Sequence, residues 1–81
     1  MTLKEALRIV KGRYGLLAPE VDARGKMRYV VAAERELRAI PEVADPESGI
    51  AIFAPEVKEL ARGAITIEAL VRRKSPGLFR A

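Results

Sequence analysis

Leu3, Ala6, Leu7 and Val10 form an apolar stripe, and Lys4, Arg8 and Lys11 lie beside it at i, i+4, i+7, the spacing of an amphipathic helix. Thr2 followed by Glu5 is a capping box that opens this helix, and Gly12 is expected to stop it after Lys11. The period then changes. Tyr14 to Ala18 and Lys26 to Ala32 read as two strands of a hairpin, joined by the turn Asp22-Ala23-Arg24-Gly25. In the second strand Met27, Tyr29 and Val31 share one face, and Lys26 and Arg28 share the other. Pro19 and Glu20 weaken the first strand, which marks it as an edge.

Ala33, Leu37 and Ile40 return to helical spacing, with Glu34 and Arg38 paired one turn apart, and Pro41 ends this short helix. Residues 41–49 form an acidic loop, and Ile50 to Phe53 is a brief buried strand. A second short helix opens with Pro55 at its first position and Glu56 in the first turn; Val57, Leu60 and Ala61 share a face, and Gly63 follows the end. The segment Ala64 to Lys74 fits two patterns. As a strand, Ile65, Ile67, Ala69 and Val71 alternate; as a helix, Thr66 caps it and Ile67, Leu70 and Val71 face inward. Its β-branched content favours the strand, turning at Ser75-Pro76-Gly77 into Leu78 and Phe79. Ala18-Pro19-Glu20-Val21 is repeated as Ala54-Pro55-Glu56-Val57, either a duplicated half or a coincidence in a chain that uses few residue types. The elements predict one small α+β domain over residues 1–81: an N-terminal helix, a β-hairpin, two short helices and a small sheet completed by the last strand. A mostly α chain is the alternative.

Composition narrows the chemistry. The chain has no His, Cys, Trp, Asn or Gln. It therefore lacks the usual general base near neutral pH, the thiolate nucleophile and the two best zinc ligands. The carboxylates lie in the 42–47 loop and on solvated helix faces, and the glycines are scattered as turn and cap residues without forming a phosphate-cradling loop. The expectation is a protein that is not an enzyme and needs no cofactor and no metal. No apolar run approaches the ~20 residues of a membrane span, so no membrane partner is expected. Without cysteines or a signal-like start, the expected compartment is cytoplasmic. Absent thermolabile residues together with abundant Glu and Arg suit a thermophile, or a GC-rich source.

Charge is divided into blocks. Residues 1–30 hold seven Lys/Arg against three acids, residues 31–61 three against seven, and residues 62–81 five against one. The candidate nucleic-acid contacts are Lys4, Arg8, Lys11 and Arg13 on the first helix, and Arg24, Lys26 and Arg28 on the hairpin with Tyr29 as a stacking partner. Arg72, Arg73 and Lys74, with Arg80 beyond them, complete the set near the end. The opposing reading has Tyr29 in the core and the arginines bridging to the acidic middle block. Without Asn or Gln to read adenine edges, such binding would depend little on sequence.

Thr2, Ala6, Leu7, Val10, Arg13, Tyr14 and Leu16 resemble the opening of the omega subunit of bacterial RNA polymerase and its archaeal counterpart, subunit K. Val31-Ala32-Ala33 with Arg35, and Glu59-Leu60-Ala61 with Gly63 and Ile65, are similar to later segments of the same family. The resemblance implies a small, mostly helical assembly subunit of a transcription machine. The chain is expected to be a non-catalytic basic accessory protein associated with nucleic acid or with transcription machinery. An omega-like assembly subunit and a self-associating structural protein, a homo-oligomer whose charge blocks meet across copies, are the alternatives.

Overall fold

The first helix, α1 (Leu3–Tyr14), begins where Thr2 Oγ1 accepts the Glu5 N–H at 3.2 Å. The computed structural model describes residues 1–74. Against expectation, α1 does not stop at Gly12. A Cβ there would meet nothing within 4 Å, so this is an ordinary exposed helix position. An internal glycine costs about 1 kcal/mol, and continuing the helix packs Tyr14 against the core. The stop comes at Gly15, whose φ of 76° takes the chain out of the helix.

Among the described residues, three antiparallel strands follow in the order β1 (Leu16–Val21), β2 (Met27–Val31), β3 (Ile50–Ile52). The first strand starts later than expected because Tyr14 belongs to α1, and it runs through Pro19 and Glu20. The ladder explains why Pro19 is tolerated. Asp22 N–H bonds the Lys26 carbonyl at 2.9 Å. Antiparallel pairs alternate between hydrogen-bonded and non-bonded, so Pro19, three residues back, faces the free edge and its missing N–H removes nothing. A bulge between Leu16 and Pro19 further blunts that edge. Among the described residues the third strand is β3, and the segment Ala64 to Lys74, expected to extend the sheet, is not part of it.

The short α2 (Glu34–Arg38) begins at Ala33, which sits at φ 39° and is held by its N–H to the Tyr14 carbonyl at 2.9 Å. The next helix, α3 (Ala54–Arg62), starts one residue before Pro55; Glu56 Oε1 reaches back to the Phe53 N–H at 2.8 Å, and Gly63 caps the end. The segment expected as a strand is instead a helix, α4 (Ile67–Lys74), with Thr66 Oγ1 accepting the Ala69 N–H at 3.1 Å. The physical reason is burial. A strand would have left Leu70 on the wrong face, whereas the helix buries Ile67, Leu70 and Val71 together. Each fully buried aliphatic side chain is worth roughly 1.5–3 kcal/mol, more than the ~1 kcal/mol span of strand propensity. The expected turn at Ser75-Pro76-Gly77 and strand at Leu78-Phe79 lie outside the described residues, as does Arg80. The repeated Ala-Pro-Glu-Val forms a strand at its first occurrence and a helix start at its second, so it is not a duplicated structural unit.

α1 packs against α3 and against the sheet, and α2 packs against α4. The core they enclose is aliphatic, and among the described residues no polar or charged residue is buried. Leu60 is at its centre with 0% exposure. Leu60→Ala should therefore destabilise the domain by about 2–5 kcal/mol. Thermal unfolding of the variant will show a clearly lowered Tm; an unchanged Tm would contradict this packing.

Candidate nucleic-acid interface

The expected contact residues fall into three groups. In the C-terminal group, Arg72 and Arg73 are engaged by carboxylates. Arg72 pairs with Glu68 at 3.2 Å and Glu42 at 3.7 Å, and Arg73 reaches Glu56 at 3.8 Å. These pairs are too exposed to add much stability, roughly 0–1 kcal/mol each, but they turn this block's positive charge onto the acidic block. Lys74 ends α4. Here the bridging expectation matches the geometry. Within the acidic block itself, Arg38 ties Glu34 at 2.7 Å to Glu47 at 2.9 Å.

The α1 group divides. Arg13 Nη1 donates to the Leu60 carbonyl at 3.2 Å, so Arg13 serves the end of α3. Successive helical residues are about 100° apart, which places Lys4 diametrically opposite Arg13. The stripe of Lys4, Arg8 and Lys11 therefore turns away from α3. All three side chains are exposed, and none is paired with a carboxylate among the described residues.

The hairpin group is organised by Asp22. Its Oδ1 accepts the N–H groups of Arg24 and Lys26, each at 2.9 Å. The Lys26 N–H is the main cause that holds the Asp22 carboxyl below the usual carboxylate range, with Arg24 and the charges of Arg28 and Lys26 adding to it. The Arg24 side chain is exposed and also lacks a carboxylate partner among the described residues. Arg28 Nε donates to Glu20 Oε1 at 2.7 Å, directly across the β1–β2 ladder.

Tyr29 does not join these cations. It shares the inner face with Val31 and packs against the core. The aromatic on the cationic side is Phe53, with Lys26 Nζ 4.5 Å from its ring centroid. Sequence reading missed Phe53 by treating Ile50 to Phe53 as simply buried. The alternation itself held the signal: Ile50 and Ile52 point inward, so Ala51 and Phe53 point outward.

The hydroxyl groups of Thr2, Thr66 and Ser48 are engaged in local structure. Thr2 and Thr66 cap helices, and Ser48 Oγ donates to the Asp45 carbonyl at 2.9 Å. A cleft of about 400 Å³ lies elsewhere, between Tyr14, Glu36, Ile40, Ile65, Ile67 and Glu68. Among the described residues no group of His, Cys, Asp or Glu is arranged to hold a metal ion, and no helix is long and apolar enough to cross a membrane. Compared with protein-family models, curated proteins and solved structures, the chain matches none.

Because the folded pKa of Asp22 is lowered, its contribution to the turn is fully present above the unfolded carboxylate's pKa. It is lost as pH falls through the lower, folded value. An amide-resolved NMR titration will show Arg24 and Lys26 N–H shifts moving together on the acid side of the usual carboxylate range. In Asp22→Ala that transition will be missing; its persistence would rule out Asp22 as the cause.

Proposed function

We propose that this chain is a non-catalytic accessory protein that associates with nucleic acid through its phosphate backbone. One observation carries the reading: Lys4, Arg8, Lys11 and Arg24 are exposed and unmatched by carboxylates among the described residues, whereas Arg72 and Arg73 are engaged by acids. Uncompensated cations on a folded surface repel one another and are best neutralised by a polyanion, whose released counterions drive the association. Lys26, on the hairpin with Arg24, is also available, since a contact with an aromatic face leaves its charge uncompensated. The engagement of the Thr2, Thr66 and Ser48 hydroxyls in local structure, with a sequence that has no imidazole or thiol, supports a binding role over a catalytic one.

Binding of this kind is steep in salt and tolerant of sequence. Four phosphate contacts imply a loss of about a hundredfold in affinity between about 50 and 200 mM salt. In fluorescence anisotropy, the double variant Arg8→Glu/Lys11→Glu should bind more weakly, with the salt slope reduced by about 2. Arg73→Gln should leave the slope unchanged. Equal losses in both variants, or a preference above ~100-fold for one sequence over random DNA, would count against the reading. An omega-like subunit would instead remain with a polymerase after nuclease treatment of the native extract.

A further inference from the structure

The cleft between the ends of α1 and α2 and the start of α4 differs in character from the cationic surface. Tyr14 reaches it from the end of α1, Glu36 from α2 and Ile40 from just past α2. Ile65, Ile67 and Glu68 line it where the chain enters α4, which packs against α2. Ile40 and Ile67 are buried and Ile65 is half-buried, so together they give the cleft apolar walls. Tyr14, also half-buried, adds an aromatic ring. The charged residues lining the cleft are both acids, with no Lys or Arg among them. Their surroundings differ. Glu68 is engaged by Arg72 at 3.2 Å. Glu36 is half-buried, and its carboxylate has no Lys or Arg partner and accepts no hydrogen bond among the described residues. Taking a carboxylate out of water costs free energy that an opposite charge or a hydrogen bond must offset.

We propose that this cleft binds a small organic cation, a molecule with one ammonium head on an apolar or aromatic body. Charge complementarity and size set the class. The Glu36 carboxylate takes the ammonium, the Tyr14 ring attracts the same charge, and the isoleucine walls cover the body. A single head is enough, because Arg72 already serves Glu68. The volume of about 400 Å³ falls within the range of small-molecule sites, roughly 300–1,000 Å³. A neutral molecule of the same shape gains only the isoleucine contacts, and an anion is repelled by the two carboxylates, so the ligand's charge is the property the cleft discriminates. Phosphate is repelled in the same way. The cleft is therefore separate from the surface that the nucleic-acid reading uses, and the two readings stand or fall independently.

Amide-resolved NMR of the full chain titrated with phenethylamine tests this, against phenethyl alcohol and phenylpropionate, which keep the aromatic body and change the charge. Phenethylamine should shift the amides of Glu36, Ile65 and Glu68 to saturation, with a Kd of about a millimolar or tighter, as a fragment of this size allows. The alcohol should bind about fivefold more weakly, the upper end for an exposed ion pair, and phenylpropionate should shift none of these amides. Glu36→Gln keeps the size of the side chain, removes its charge and should lose the same factor, with its own spectrum showing an intact fold. Glu5→Gln, in the first turn of α1, changes the net charge equally and should lose nothing. Equal binding of amine and alcohol, or no loss in Glu36→Gln, overturns the proposal. So does an equal loss in the two variants, or phenethylamine shifts that do not saturate or that fall only on other acidic residues.

Discussion

The packing of α1 on α3 is the contact on which the remaining structure depends. Ala6 and Val10 on one side and Val57, Leu60 and Ala61 on the other are all buried, and small residues in both sets allow the two helices a close approach. Arg13 reinforces the join by bonding the Leu60 carbonyl near the end of α3. The sheet is anchored to the same pair: Gly15 turns β1 out of α1, and Phe53 leads β3 straight into α3. Two short backbone bonds, Ala32 N–H to the Gly15 carbonyl at 2.7 Å and Ala33 N–H to the Tyr14 carbonyl at 2.9 Å, fasten the end of β2 beneath the end of α1. With no buried polar group among the described residues, this interior has only shape and apolar area to specify it.

Elements whose signals lie within a few residues were legible in the sequence. Thr2 with Glu5, the Asp22–Gly25 turn, the edge character of β1 and the Pro55–Gly63 helix all appear in the structure within a residue or two. What could not be read locally was decided by tertiary burial. Ile67, Leu70 and Val71 form a helix because that geometry buries all three, although two of them are β-branched. The pair of Ala-Pro-Glu-Val segments makes the same point. The first is followed by a tight turn and sits on a blunted edge; the second is followed by apolar residues at helical spacing and meets α1.

The candidate site was legible as charge but not as geometry. Net charge by block located an unneutralised N-terminal region, yet only the fold shows that Arg13 serves α3 and that Arg72 and Arg73 face Glu42, Glu68 and Glu56. Parity separates the two aromatics: Tyr29 is on the inward register of β2, and Phe53, one residue past β3, follows the outward side. A one-residue shift in parity exchanges the core face for the solvent face, so composition near a strand says little about which side chain is presented.

The central claim is that the uncompensated cations of α1 and the hairpin, and not those of α4, meet nucleic acid. Amide chemical-shift mapping of the full chain titrated with a short oligonucleotide at low salt tests it most directly. The account predicts perturbations at Lys4, Arg8, Lys11, Arg24 and Lys26, with α4 beyond Thr66 unmoved. Shifts concentrated on Arg72 and Arg73, or on the cleft between Tyr14, Glu36 and Glu68, would contradict it.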